Sequence, residues 1–93
     1  MLSNIPINLD EVKKEDIDKE ILRVGIIAEL DAVSLYEQLA ANAQSEDIKK
    51  VLLDIAKEEK THVGEFQALL LERDQEQVEE LEAGKKEVEE ELG

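Results

Sequence analysis

The 93-residue chain contains no cysteine, which excludes disulfides, iron–sulfur clusters and thiolate zinc sites. No apolar run approaches the ~20 residues that span a bilayer; Val24 to Ala28 is as long as any. The first basic residue is Lys13, and no apolar signal core precedes it, so a cytoplasmic location is expected. Positive charge is scarce, 11 Lys and Arg against 25 Asp and Glu, and the net charge of −14 argues against nucleic acid and anionic membranes as partners. Alternating strand patterns and solenoid repeats are absent too, which leaves an all-α chain.

The periodicities predict two long helices and a third segment. The first helix runs from about Glu15 to Ala43 and the second from about Glu46 to Glu72, with Ser45 as the N-cap of the second. Residues 1–14 form an N-terminal segment, irregular to Asn8, where Asn8 and Glu11 resemble a capping box. Residues 76–92 carry Val78, Leu81, Val88 and Leu92 at helical spacing, with Lys85 on the seam and Gly84 beside it. Glu82 and Lys86 are spaced as an i, i+4 pair. That segment is expected either to dock on a neighbouring subunit or to stand as a solvated helix. Half of the net charge lies in residues 72–93, with ten acidic and three basic side chains. One thin domain is expected, and a lone hairpin cannot bury residues 24–28, which are apolar all round. The chain is therefore expected to form a homo-oligomer.

Both apolar stripes carry polar intruders. On the second helix Leu52, Ile55, Ala56, Val63, Phe66 and Leu70 share a face with Glu59 and with His62, the one histidine of the chain. On the first helix Glu29 interrupts Leu22, Gly25, Ile26, Val33, Tyr36 and Ala40. With the turn centred on Gln44, Glu29 lies 15 positions before it and Glu59 lies 15 after it. In an antiparallel hairpin such positions share one level. An unpaired buried carboxylate costs several kcal/mol, so it needs a partner. A metal ion is one candidate. A core ion pair between His62 and Glu59, with Tyr36 hydrogen-bonded to Glu29, is the other.

Two hairpins paired about a two-fold axis near this level would gather four Glu and two His, with two Glu-x-x-His motifs. That is the inventory of a ferritin-like carboxylate di-metal centre. Oxygen and imidazole donors without sulfur suit iron or manganese, with zinc able to compete.

The stretch Ile26-Ile27-Ala28-Glu29-Leu30-Asp31-Ala32-Val33-Ser34-Leu35-Tyr36, followed by Glu58-Glu59-Lys60-Thr61-His62, resembles the encapsulated ferritin family over roughly residues 20–72. The resemblance implies half of a ferritin four-helix bundle per chain, a ferroxidase centre made at a dimer interface, and dimers arranged in an open ring. It also implies association with an encapsulin shell protein, as cargo or as a fusion, inside a nanocompartment that stores iron. By motif match, Glu29, Glu59 and His62 are the catalytic iron ligands, shared as a di-iron centre between two chains, and Tyr36 is a partner that orients them. Some relatives carry an acidic residue at Ala28 and an aromatic one at Leu35. Ala28 removes one carboxylate of a secondary metal site on the iron's path inward, leaving Asp31 as its remnant. Two rival readings stand beside this one. The chain could be a non-catalytic helical assembly module whose buried polar residues fix subunit register, or a rubrerythrin-like peroxidase, from which the lack of cysteine removes the rubredoxin-type module.

Overall fold

The computed structural model describes residue 4 and residues 7–93. Of the N-terminal segment expected to be irregular, residues 1–3, 5 and 6 lie outside the described part. Two 3-10 turns, Leu9–Glu11 and Lys14–Asp16, lead into three helices: α1 (Ile17–Asn42), α2 (Glu46–Leu71) and α3 (Gln75–Leu92). The described residues are thus all helix and connection. Asn8 caps the first turn through a bond from the Asp10 amide to its Oδ1 at 3.2 Å. Glu15 and Asp16, expected to open the first long helix, belong with Lys14 to a separate turn instead, the Asp16 amide bonding the Lys13 carbonyl at 2.8 Å, and α1 begins at Ile17.

The three-residue connection of 43–45 joins α1 to α2. Ser45 has extended backbone, and its Oγ accepts from the Ile48 amide at 3.3 Å, satisfying one of the free donors of the first turn of α2. Glu46 and Asp47 follow where the helix dipole favours negative charge. At the other end Arg73 Nη1 donates to the Leu69 carbonyl at 2.9 Å, supplying a cation to the carbonyl end of α2.

The hairpin core is narrow: Leu22, Val33, Ala40, Ala56 and Leu70 are the buried apolar residues of the described chain. Ala40 and Ala56 are small enough to let the two helices approach. Gly25 does the same for one side chain, because a Cβ there would lie 3.3 Å from the ring of Phe66. Much apolar surface stays outside the core, including Ile21, Ile27, Leu30, Leu39, Ile48, Val51, Leu53 and Leu69.

A single residue sets the departure of α3. Asp74 Oδ1 accepts from the Gln77 amide at 3.0 Å as N-cap, while Oδ2 accepts from Arg23 Nη2 of α1 at 2.9 Å. The first turns of α3 then meet the hairpin around an apolar hollow of about 350 Å³ bordered by Ile26, Ile27, Leu70, Leu71 and Leu81. Beyond it α3 runs outward, for the molecule measures 46 × 43 × 20 Å, and two parallel helices alone are only about 20 Å wide. Gly84 does not interrupt α3. The spacing of Glu82 and Lys86 yields no ion pair among the described residues, and both are exposed on the outward part of the helix.

Candidate metal centre

Glu29 stands midway along α1, and Glu59 and His62 stand midway along α2. The helix supplies the second pair directly, since residues three apart lie on one face. The hairpin register supplies the third residue. One ligand-capable atom from each of the three lies within 4.8 Å of the others, and all three residues are half-buried. His62 Nδ1 is 3.2 Å from Glu59 Oε2 and 3.4 Å from Glu29 Oε2.

The two carboxylates are not equally served. The contact with Glu59 has hydrogen-bonding geometry. Glu29 Oε2 is fully buried yet takes part in no hydrogen bond. The reason is the donor inventory: Nδ1 of an imidazole carries at most one proton, which can be given to one acceptor. Nothing else replaces it. Lys60, the nearest basic residue in sequence, is engaged with Glu37 across the hairpin at 3.1 Å. No Lys or Arg among the described residues pairs with Glu29 or Glu59. The residues fit a cation on this ground, because a positive ion at their convergence gives the orphaned oxygen the partner it lacks, and the donor set of oxygen and nitrogen suits iron, manganese or zinc.

Tyr36 lies on the same stripe, half-buried, two turns or about 10.5 Å along the axis from Glu29. It does not donate to the buried Oε2 of Glu29, the atom that the ion-pair alternative would leave to it. Asp31 is half-buried outside the cluster and has interactions of its own. Glu58 is exposed, as its helical position implies.

Two further residues complete the surroundings. Phe66, on the stripe of Glu59 and His62, is one turn past His62, and its ring rests against Gly25, one turn before Glu29. Glu65, which the helical pattern places toward solvent, borders the same cavity of about 380 Å³ as Glu29, His62, Phe66 and Leu69. Its Oε1 is 4.0 Å from His62 Nε2. Leu69 also borders a hollow with Ile21 and Leu22. By contrast Leu81 of α3 borders a separate hollow with Ile26, Ile27 and Leu71, and no α3 residue lines the cavity beside His62, so that side of the hairpin is left uncovered.

Comparison with known proteins agrees with this architecture. The family model described as rubrerythrin matches residues 20–92. A ferritin-like–encapsulin shell fusion protein of Pyrococcus furiosus is 55% identical over 95 residues, an alignment that takes in 100% of this chain and 28% of that protein. The chain thus spans little more than a quarter of the length of this curated relative. The crystal structure of the encapsulated ferritin domain from Pyrococcus furiosus superposes with a TM-score of 0.82 at 54% identity, covering 97% of this chain and 94% of that one. The chain belongs to the rubrerythrin family of ferritin-like proteins and, within it, to the encapsulated ferritins.

Proposed function

We propose that the protein is a ferroxidase that oxidises Fe(II) with dioxygen at a di-iron centre shared by two copies of the chain. The observation that carries this reading is the buried Glu29 oxygen without a hydrogen bond, converging with Glu59 and His62 on one point. One hairpin offers only two carboxylates and one imidazole, too few for two ions. Pairing the uncovered sides of two hairpins doubles the set and buries exposed apolar residues such as Ile21 and Leu69. Iron is the substrate here. Each Fe(II) gives up one electron, and two together supply the pair that reduces dioxygen to the peroxide level. The role of the chain is to hold two ions side by side: anionic Glu29 and Glu59 favour the more highly charged ferric product, and His62 supplies a neutral donor that limits the charge gathered there. Because the second copy completes the centre, metal binding and dimerisation are linked, each strengthening the other.

The relatives extend the proposal to a destination. One is named as a fusion of a ferritin-like part with an encapsulin shell and another as an encapsulated ferritin domain. We place this chain likewise in a ring of dimers inside a cytoplasmic encapsulin compartment, handing ferric iron to storage. The test is a time course of ferric absorbance after aerobic addition of Fe(II) to wild type and to Glu29→Ala. Oxidation well above protein-free buffer in the wild type alone, at saturation with about one iron per chain, supports a shared di-iron ferroxidase. Rates equal to buffer in both proteins reject it in favour of the assembly module. The rubrerythrin description of the matched family gives the peroxidase reading its support, and faster oxidation with hydrogen peroxide than with dioxygen would select it.

A further inference from the structure

We propose that Glu65 is a positioning residue for His62: its carboxylate holds the Nε2–H edge of the imidazole, so that Nδ1 presents its lone pair to the metal. This inference rests on the metal-centre reading above.

The ring has two distinct edges. Nδ1 faces Glu59 and Glu29 at 3.2 and 3.4 Å, so Nδ1 is the atom placed to coordinate. A coordinating nitrogen must have lost its proton, and in a neutral imidazole the proton must then reside on Nε2. Nε2 faces Glu65 Oε1 at 4.0 Å. Glu65 follows His62 by three residues on α2, a spacing that puts both on one face, and both border the same cavity. The carboxylate has no other hydrogen bond or ion pair among the described residues. In the single chain it is 67% exposed, so rotation about its own side-chain bonds brings it to hydrogen-bonding distance without moving the helix.

Such a contact also settles the ring's orientation. Half-turn rotation about the Cβ–Cγ bond would exchange Nδ1 for Cδ2 at the carboxylates and Nε2 for Cε1 at Glu65. His62 is 44% exposed in the single chain, so packing within the hairpin does little to forbid that rotation. Acceptors on both edges do, because only one orientation presents a nitrogen to each. Glu59 Oε2 lies at hydrogen-bonding distance from Nδ1. A cation at the cluster would take that place, and Glu65 is then the partner that remains to the ring. Carboxylates that accept from the outer N–H of a ligating histidine raise its basicity, and their loss weakens metal binding by about 10- to 100-fold.

His62 is the sole histidine and cysteine is absent, so imidazole ¹⁵N resonances report this site without overlap. Zn(II), which does not change oxidation state, is the probe. The intact chain is titrated as wild type, Glu65→Ala, Glu65→Gln and Glu58→Ala, the last removing an equal charge from an exposed position on the same helix. In zinc-bound wild type the Nε2–H resonance exchanges slowly with water. In Glu65→Ala it broadens by exchange and zinc affinity falls at least about tenfold, with unchanged helix content. Glu65→Gln, which keeps an acceptor, recovers part of the loss. A Glu65→Ala protein that matches Glu58→Ala in both readings would overturn the proposal and make Glu65 an ordinary solvated carboxylate. Zinc that leaves the His62 resonances unmoved in the wild type would instead overturn the metal centre itself, together with this role.

Discussion

Replacing Glu29 with methionine should make the metal-free protein more stable while removing its capacity to be stabilised by metal. Methionine keeps the length of the side chain and the apolar face of α1. It deletes a carboxylate whose Oε2 is buried without a hydrogen bond, a defect worth about 1–3 kcal/mol. Opposing this is the lost attraction to His62 Nδ1 at 3.4 Å. His62 is 44% exposed and retains Glu59 at 3.2 Å, so that loss is at most about 1 kcal/mol. The balance favours the variant by about 1 kcal/mol, which for a domain of this size raises Tm by roughly 4–8 °C. Pairing two hairpins through this face brings the like charges of two clusters together and enlarges the gain. With metal the order reverses: at a concentration one hundred times Kd the wild type gains about 2.7 kcal/mol, and the variant gains none of it. The assay is a pair of thermal melts for each protein, in chelator and in Zn(II), followed by circular dichroism at 222 nm. A crossing of the two orders is the expected result. A variant less stable than wild type in chelator would refute the reasoning, because Glu29 would then be a register-fixing structural partner of His62.

The two glycines of the hairpin separate packing from propensity. Gly64→Ala meets nothing within 4 Å and should stabilise by about 1 kcal/mol through helix propensity, read as a raised denaturation midpoint at unchanged m-value. Gly25→Ala has the same propensity gain, but its Cβ would sit 3.3 Å from the Phe66 ring. The ring must retreat toward the cavity beside His62, at an overpacking cost of about 1–3 kcal/mol, so this variant should be less stable than Gly64→Ala. At the root of α3, the amide of Gln77 above all holds the Asp74 carboxyl below its ordinary value, with Arg23 and Lys19 adding to the effect and burial opposing it. A depressed value in the folded state means that the joint is fully stabilised above the ordinary value of 3.8 and loosens as pH falls through the lower folded value. Amide exchange at Gln77 and Val78 should therefore accelerate in strong acid. Asp74→Asn, which can still cap but cannot ionise, should lose that pH dependence.

What the sequence made legible, and what it did not, divides by the range of the interaction. The 3.6-residue period marks both stripes, because burial against one neighbour is a property of each helix taken alone. Ser45 was readable as a cap because its oxygen reaches an amide three residues away. Even the convergence of Glu29 with Glu59 and His62 was readable, since in a hairpin equal distance from the turn means equal height. Each of these needs only the chain's local geometry and one short connection.

The link between Arg23 and Asp74 spans 51 residues and has no period to announce it. Its existence depends on the course of residues 72–74 after α2, where Asp74 adopts φ −141° and ψ 86°, and α3 departs wherever that turn aims it. The direction of α3 was consequently open between docking on a neighbouring subunit and solvation; in the single chain its start lies against its own hairpin instead, Leu81 bordering the hollow with Ile26, while Val88 and Leu92 stay exposed. The helical spacing put Glu65 beside the site but on a more polar face, where it reads as solvated. A helical wheel assigns faces from Cα positions and does not show that the imidazole of His62 carries Nε2 outward to within 4.0 Å of that carboxylate. The orphaned Glu29 oxygen is subtler again, because it follows from counting protons on one ring that has two carboxylates to serve. A periodicity can place charges together. Whether they are satisfied depends on the donors that reach them, and at this site one donor is too few.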